Sequence, residues 1–381
     1  MSLKLDHDLS SPLRMPGAGE RRRFRRWIVL RGGREQRWGG EVRRQMIFER
    51  LAERTAALVV ESWPYVQGYT KDRFWPPMLP PWRRPFLAVT EQPPESVNSW
   101  IVGRTDPVAV AIYDDPVAQT RALGIQLDAD QAVELGRLRR LAMTTFRWHV
   151  VPTSSFAELA GLDPVRVIVG GNGTMTDEVR PGPWPTVPTI GFVSGAAPGR
   201  GIEQLVEACR MVRSSWPDLR LDLWLVATST RTHQYLDDFR LTVHDEPWIT
   251  IGSVAHAGLG EALARATILC IPHPANDYMD VALPVKLLDS MSAGRPLVVT
   301  PRRETVAIVE RYGAGIVTGG DEPADLAVAF ERLLADEALA RRLGAAGRDA
   351  AVREFDWKVV GDRIATEILA REGPRKRAWN R

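Results

Sequence analysis

Residues 277–300 hold the side chains whose types and spacing best fit a binding site for a nucleoside diphosphate. A loop after an apolar run leads into a predicted helix that begins at Pro284 and Val285, and proline is well placed in a first helical turn. The N–H groups and partial positive charge of a helix start suit a diphosphate, and Lys286 adds a full charge there. Asp289 follows on the same helix, where its carboxylate could accept hydrogen bonds from both ribose hydroxyls. An ordinary crossover helix with a surface carboxylate is the alternative.

A second turn that could lie near a ligand is at 192–201, between an apolar strand pattern and an amphipathic helix pattern. Arg200 stands directly before Gly201 in this turn, so its guanidinium would lie near the start of the following helix. By itself this pattern is typical of a solvent-exposed arginine in a surface turn.

Residues 277–300 resemble the donor-binding motif of the retaining GT-B glycosyltransferases, a group 1, family 4-like class that includes sucrose and mannosyl transferases. That motif has two acidic residues separated by seven others, then a helix and an Ala/Cys-Gly-x-Pro-Val-Val sequence. Asp289 occupies the second acidic position. Four further positions match the motif: Ala293, Gly294, Pro296 and Thr300. The first acidic position is Val281, and the adjacent Asp280 could replace it only if the loop shifts by one residue.

The resemblance extends to other parts of the chain. The turn at 192–201 looks like the family's strand and turn ending in Lys-Gly, with Arg200 in the place of the phosphate-binding lysine and Gly195 in the place of a common arginine. Residues 169–173 resemble the turn that precedes the family's interdomain crossing. Residues 354–357 resemble the start of its last helix, which packs back on the N-terminal domain.

The first half of the chain resembles the family more weakly. Gly39 and Gly40 open a helix pattern after the first strand, as the family's Gly-Gly turn does, so backbone there could approach a phosphate or an acceptor. Many family members have a histidine in the loop where this chain has Asp114 and Asp115. Asp114 is therefore a candidate catalytic residue, and an Asp-Pro turn is the alternative.

Strand and helix patterns alternate through both halves, which predicts an α/β fold with two Rossmann-like domains facing a central cleft, the GT-B arrangement. Four prolines within 180–188 indicate a linker between the domains. The expected divisions are a basic, disordered tail at 1–25, an acceptor domain at 26–180, a linker at 181–188, a nucleotide-sugar domain at 189–355, a returning helix at 356–372 and a tail at 373–381.

The composition of the chain indicates which kinds of binding partner and which cellular compartment to expect. The chain has 381 residues and a net charge of only +3, which gives no indication of a nucleic-acid partner. No apolar run approaches the roughly 20 residues that span a bilayer, and Cys209 and Cys270 fit buried free thiols in a reducing, cytoplasmic compartment. A basic run at 21–27 could contact an anionic membrane surface carrying a lipid-linked acceptor, or be a solvated tail.

The resemblance implies transfer of a sugar from a nucleotide diphosphate sugar to a glycan, lipid-linked or small-molecule acceptor, with retention of configuration. Arg200 and Lys286 would stabilise the leaving diphosphate, whose own oxygen can take the acceptor proton, so neither a metal nor another cofactor is expected. A GT-B nucleotide-sugar epimerase and a non-catalytic glycosyltransferase-like binding protein are the alternatives. The sequence leaves the base, the sugar and the acceptor open.

Two histidines, His256 and His273, lie in loops that follow strand patterns of the second half. Loops at the C-terminal ends of parallel strands can reach a ligand. A single loop histidine is nevertheless expected to be solvent-exposed.

Overall fold

The computed structural model describes residues 27–32, 47, 49–55, 57–63, 87–91, 99, 101–103, 106–113, 115–124 and 128–372. Within them the chain forms two six-stranded sheets, one in each half. The first sheet contains β1 (Trp27–Gly32), β2 (Leu58–Trp63), β3 (Leu87–Glu91), β4 (Pro107–Ala111), β5 (Trp148–Val151) and β6 (Val167–Val169). The second contains β7 (Thr189–Gly195), β8 (Arg220–Val226), β9 (Ile249–Gly252), β10 (Ile268–Ile271), β11 (Leu297–Val299) and β12 (Gly315–Val317).

Helices connect these strands, and residues 49–55 are also helical. The helices of the N-terminal half whose bounds the structure describes are α1 (Pro116–Ala122), α2 (Ala129–Thr145) and α3 (Ser154–Leu159). The others are α4 (Ile202–Val212), α5 (Thr230–Thr242), α6 (Leu259–Ala264), α7 (Asp277–Val281), α8 (Val285–Ser292), α9 (Arg303–Tyr312), α10 (Pro323–Ala335), α11 (Glu337–Ala350) and α12 (Trp357–Glu372). Of the described helices, none combines the length and the apolar composition needed to cross a bilayer.

Both sheets are entirely parallel among their described strands and reverse their winding direction once. The strand order of the first is β2-β1-β3-β4-β5-β6, and that of the second is β12-β11-β10-β7-β8-β9. The winding therefore reverses between β1 and β3 in the first sheet and between β7 and β10 in the second. Doubly wound sheets bind ligands outside the C-terminal ends of their strands at such a switch point. The predicted α/β class with parallel sheets is confirmed.

Alternate residues of the second sheet enter two separate hydrophobic cores. Leu223 of β8 and Cys270 of β10 pack in the core that includes α4 and α10, while their neighbours Trp224 and Leu269 pack in the core that includes α6 and α8. Because helices cover both faces, the strands are apolar at successive positions, which made them easy to predict. The two cysteines, Cys209 and Cys270, are buried free thiols as predicted.

The last helix, α12, starts beside the second sheet and packs on the first. Its residues Trp357, Val360 and Ile364 are buried in one hydrophobic core with Val29 of β1 and Ile47. The helix therefore joins the two halves of the chain after the first crossing at 170–188. Burial of this many apolar side chains is the main favourable contribution to that connection.

The two crossings between the halves also bond to each other. The backbone N–H of Thr174 donates to the carbonyl oxygen of Phe355 at 2.8 Å, and that of Trp357 donates to the carbonyl oxygen of Thr174 at 3.1 Å. Gly173 is required for this approach, because a Cβ there would lie 2.7 Å from the Trp357 ring and 2.9 Å from the Phe355 carbonyl oxygen.

Two short helices lie beside or within predicted loops: α7 lies where the sequence predicted a loop, and α1 follows directly after the predicted loop that contains Asp114 and Asp115. Asp115 caps α1 by accepting from the N–H groups of Val117 and Ala118, each at 3.1 Å, and Pro116 occupies the first turn. Asn276 caps α7 by accepting from the N–H of Met279 at 2.8 Å. An N-cap residue followed by only five to seven helical residues gives too little periodicity to distinguish a helix from a turn.

We expect Trp357→Ala to lower the free energy of unfolding by about 3–5 kcal/mol, because it leaves a large cavity between α12 and the first sheet. Trp357 is 1% exposed, whereas nearby Val352 is 44% exposed. The control Val352→Ala should change stability by less than about 0.5 kcal/mol. Urea denaturation followed by far-UV circular dichroism measures both, and equal losses in the two variants would contradict this packing.

Candidate functional site

A cavity of about 650 Å³ lies between the two halves of the chain, at the C-terminal ends of the strands of the second sheet. Its volume is within the range of small-molecule binding sites. Residues of the N-terminal half that line it include Tyr113, Gln119, Phe156 and Asn172. The opposite wall comes from the ends of β7, β8, β9 and β10 and from the start of α8.

Two helices begin at this cavity without a side-chain cap. The N-cap of α4 is Gly201 and that of α8 is Pro284, and neither makes a side-chain capping hydrogen bond. Backbone N–H groups in the first turn of a helix lack partners within that helix, so both starts favour an anion. Gly201 has a φ of 77°, and a Cβ there would overlap the carbonyl oxygen of Pro272. The turn that contains Arg200 therefore packs directly against the end of β10.

Lys286 is held at the bottom of the cavity by two contacts. Its Nζ donates a hydrogen bond to Oγ of Ser194 at 3.0 Å and lies 4.6 Å from the centre of the Phe192 ring. Burial, together with the neighbouring positive charge of Arg200, holds the pKa of Lys286 well below its ordinary value. An anion with more than one charge would remove this repulsion, because it would attract both cations.

Arg200 also lines the cavity, directly before α4. Its charge lowers the pKa of two neighbouring groups, Lys286 and His273, so the three basic side chains surround one region. Asp289 is the one carboxylate among the described residues that line the cavity. The region between Arg200 and Lys286 is therefore suited to a diphosphate.

Asp289 is 7% exposed and accepts a hydrogen bond from Oγ1 of Thr174 at 2.7 Å through its Oδ1. Burial raises the pKa of this carboxyl to about 7, and the Thr174 hydrogen bond opposes that rise. Sugar hydroxyls that donated to the carboxylate would favour the charged form and lower the pKa again. The position on α8 thus suits a ligand that brings hydroxyl groups.

Side chains of the N-terminal half bond directly to the segment that leads into α8. Nδ2 of Asn172 donates to the carbonyl oxygen of Leu283 at 2.5 Å, and Oγ1 of Thr153 donates to that of Val281 at 3.0 Å. The Val281 side chain is buried in a hydrophobic core of the N-terminal half. The position of the family's first acidic residue is therefore part of an apolar contact between the halves and does not line the cavity.

The structure does not bring Asp280 to the cavity. An oxygen of its carboxylate lies 3.4 Å from Nη1 of Arg302, which also pairs with Asp321. Asp321 in turn accepts from the backbone N–H of Ala275 at 2.8 Å. This network fixes the start of α7 and directs Asp280 away from the ligand space, so the one-residue loop shift does not occur.

Five of the sequence-predicted site residues line the cavity together: Arg200, Pro284, Val285, Lys286 and Asp289. Three others, Gly39, Gly40 and Asp114, lie outside the described residues. Asp115, the neighbour of Asp114, caps α1 and pairs with Arg139. Among the described residues there is no group of three or more His, Cys, Asp and Glu side chains that could hold a metal ion.

Sequence reasoning described three residues at or beside the cavity incompletely. His273 is only 2% exposed, so the expectation of an exposed loop histidine is wrong. Thr174 and Asn172 were assigned no ligand-related position, yet both hold α8. His256 lines the cavity as well, with Nδ1 3.6 Å from a carboxylate oxygen of Glu178. The position of His273 directly after a strand pattern, from which the sequence indicated that it could reach a ligand, agrees with its place in the cavity lining.

Comparisons with a family model and with curated proteins both find similarity to glycosyltransferases. Residues 187–336 match the model of a family described as glycosyl transferases group 1. The chain is 30% identical to a phosphatidyl-myo-inositol mannosyltransferase from Mycobacterium leprae over 114 residues, which cover 30% of this chain and 29% of that protein. A second relative is a GDP-mannose-dependent monoacylated alpha-(1-6)-phosphatidylinositol monomannoside mannosyltransferase from Corynebacterium glutamicum. The chain is 27% identical to it over 194 residues, which cover 49% of this chain and 48% of that protein. The matched parts span less than half of these relatives.

The fold is also found in solved structures. HepE from Anabaena, crystallised with UDP and with UDP-glucose, superposes with a TM-score of 0.65 at 16% identity, covering 90% of this chain and 99% of that one. This similarity concerns the fold alone. With the two doubly wound sheets and the cleft between them, it establishes that the chain has the GT-B fold.

The buried carboxyl of Asp289 generates a prediction about stability and pH. Its pKa is 3.8 in the reference state and about 7 in the folded protein. The folded state therefore binds the proton more tightly, and the free energy of unfolding falls as the pH rises from about 4 to about 7. Asp289→Asn keeps an acceptor for Thr174 but cannot ionise, so its stability relative to the wild type should increase over this range, on the order of 1.4 kcal/mol per pH unit.

Urea denaturation at a series of pH values from 4 to 8 measures this difference. Asp245, whose side chain is 87% exposed, provides the control. Asp245→Asn makes the same chemical change at an exposed surface position, so it should change stability by less than about 0.5 kcal/mol. A pH-independent difference between Asp289→Asn and the wild type would contradict the assignment.

Proposed function

We propose that this chain, whose C-terminal half matches the group 1 glycosyl transferases, transfers a sugar from a nucleotide diphosphate sugar with retention of anomeric configuration. The observation that carries the proposal is the joint position of Arg200, Lys286 and Asp289 in one interdomain cavity. Two cations beside two uncapped helix starts fit a diphosphate, and a buried carboxylate one turn further along α8 fits a ribose. In this proposal residues 189–355 form the donor domain and residues 26–180 the acceptor domain.

The reaction needs charge stabilisation more than a protein base. As the bond between the anomeric carbon and the diphosphate breaks, negative charge grows on the leaving phosphate oxygen. Lys286, Arg200 and the first turn of α8 are positioned to stabilise that charge. The same oxygen can take the proton of the acceptor hydroxyl, which then attacks from the face the phosphate leaves, so configuration is retained. We propose that this step requires no metal or other cofactor.

The acceptor is proposed to bind against the N-terminal half. The relatives from Mycobacterium and Corynebacterium are named for phosphatidylinositol acceptors, which favours a lipid-linked or glycan acceptor here. The basic run at 21–27 would then contact the anionic membrane surface. Asp114 and the Gly39-Gly40 turn remain candidates for acceptor contacts.

We expect Lys286→Ala and Arg200→Ala each to weaken nucleoside diphosphate binding about tenfold to a hundredfold, because each removes a charged hydrogen bond to phosphate. Titration calorimetry with GDP and UDP measures the dissociation constants. Lys358 and Arg220 are exposed and do not line the cavity, so Lys358→Ala and Arg220→Ala serve as matched controls. Normal affinity in both cavity variants would refute the phosphate assignment.

The function itself is tested by turnover. Incubation of the protein with UDP-glucose or GDP-mannose and a phosphatidylinositol acceptor should release the nucleoside diphosphate and yield a product with the donor's anomeric configuration, read by proton NMR. An epimerase would instead release the diphosphate without an acceptor or isomerise the donor sugar. Tight binding without turnover would support a non-catalytic binding protein.

A further inference from the structure

The imidazole of His273 is buried without a hydrogen-bond partner. The residue is 2% exposed, and among the described residues neither Nδ1 nor Nε2 has a partner. Buried polar groups in folded proteins nearly always have a partner, and leaving one unpaired is costly. Two unpaired nitrogens on one ring therefore indicate that a ligand supplies the missing partners.

His273 stands at the switch point of the second sheet. It follows β10, which pairs with β7 at the point where the winding reverses, and it lines the interdomain cavity. Its backbone is fixed, because Oγ1 of Thr300 donates to its carbonyl oxygen at 2.6 Å. The preceding Pro272 contacts the turn at Gly201, which places the imidazole beside Arg200.

The surroundings of the ring decide its protonation state. Burial is the largest cause that lowers the pKa of His273 well below its ordinary value, and the charges of Lys286, Arg200 and Arg302 lower it further. The imidazole is therefore neutral in the free protein, with one nitrogen that donates and one that accepts. A diphosphate offers only acceptors, so it can satisfy the N–H but not the other nitrogen.

A sugar hydroxyl next to the diphosphate would satisfy the second nitrogen. Neither position at which the family motif could place a carboxylate near the sugar provides one here: position 281 is a valine that packs in the N-terminal half, and Asp280 pairs with Arg302. Asp289 is the one carboxylate among the described residues that line the cavity. It accepts a hydrogen bond from Thr174, at the position proposed above for the ribose. The accepting nitrogen of His273 is thus a free acceptor beside the phosphate region.

We infer that His273 bridges the diphosphate and the transferred sugar, donating to a phosphate oxygen and accepting from the hydroxyl on the carbon adjacent to the anomeric carbon. The inference rests on the proposed function, and it makes His273 a specificity-determining residue for donors that carry this hydroxyl. One ring can bridge only groups that lie close together, and the C2 hydroxyl is the sugar hydroxyl next to the bond that holds the phosphate.

The test is a cycle that removes the imidazole and the hydroxyl separately and together. The ligands are UDP-glucose and GDP-mannose, each compared with its 2-deoxy-2-fluoro analogue, in which fluorine cannot donate a hydrogen bond. The proteins are the wild type, His273→Phe, His273→Asn and the control His244→Phe, because the His244 side chain is 67% exposed and does not line the cavity. Titration calorimetry of the full chain gives the dissociation constants, and the coupling between residue and hydroxyl follows from their ratios.

The wild type should bind the natural donor about fivefold to tenfold more tightly than the fluoro analogue, as expected for one net hydrogen bond. His273→Phe should bind the two equally, His273→Asn should recover part of the preference, and the control His244→Phe should keep it. Persistence of the full preference in His273→Phe, with normal diphosphate binding, would overturn this inference alone. Failure of the wild type to bind any of these nucleotides would overturn the proposed function and the inference together.

A second readout separates a ligand-binding role from a structural one. Replacing a buried ring that has no partners by an apolar ring of similar shape removes an unsatisfied group, so the melting temperature of the free protein should stay equal or rise in His273→Phe. A structural histidine would give the opposite result. A lower melting temperature, together with an unchanged hydroxyl preference, would assign the residue to the core.

Discussion

The organisation of this protein depends on an excess of half-buried positive charge at the switch point of its second sheet. Lys286, Arg200 and the uncapped starts of α4 and α8 converge there, and burial holds the pKa of Lys286 low. Such an arrangement is unfavourable without an anion, so the fold around it must be stabilised elsewhere. The apolar cores on both faces of the second sheet and the return of α12 onto the first sheet supply that stability.

The segment between β10 and α8 shows how the same architecture can be adapted. Where a relative with the full motif would present a carboxylate, this chain has Val281, and that side chain is buried against the N-terminal half. Asp280 completes an ion-pair network on the other side of α7. The apolar contact connects the two halves across the cleft, and in the inference made above His273 provides a polar contact near the sugar. The replacement of the motif's first acidic residue by Val281 thus goes together with a different arrangement of side chains in the segment between β10 and α8.

Much of this architecture could be predicted from the sequence, because parallel strands covered on both faces appear as continuous apolar runs. Lys286 and Asp289 were identified from local signals, namely a proline at a helix start and spacing along one helix. The remaining features depend on contacts that no local pattern records. Thr174 bonds to Asp289 across 115 residues, and Asn172 bonds to Leu283 across 111. The burial of His273 likewise follows from the packing of turns distant in sequence.

The docking of α7 has a thermodynamic consequence for any separation of the two halves. Tyr278 and Met279 are buried with Leu123 of the N-terminal half, and Val281 enters its core. Opening the cleft at this point would hydrate these apolar surfaces, and hydration of apolar surface raises the heat capacity. The closed arrangement would therefore lose part of its hydrophobic stabilisation on cooling. The free energy of opening the cleft would then vary with temperature along a curved rather than a linear profile. The apolar side chains of the five-residue helix α7 would contribute to that curvature.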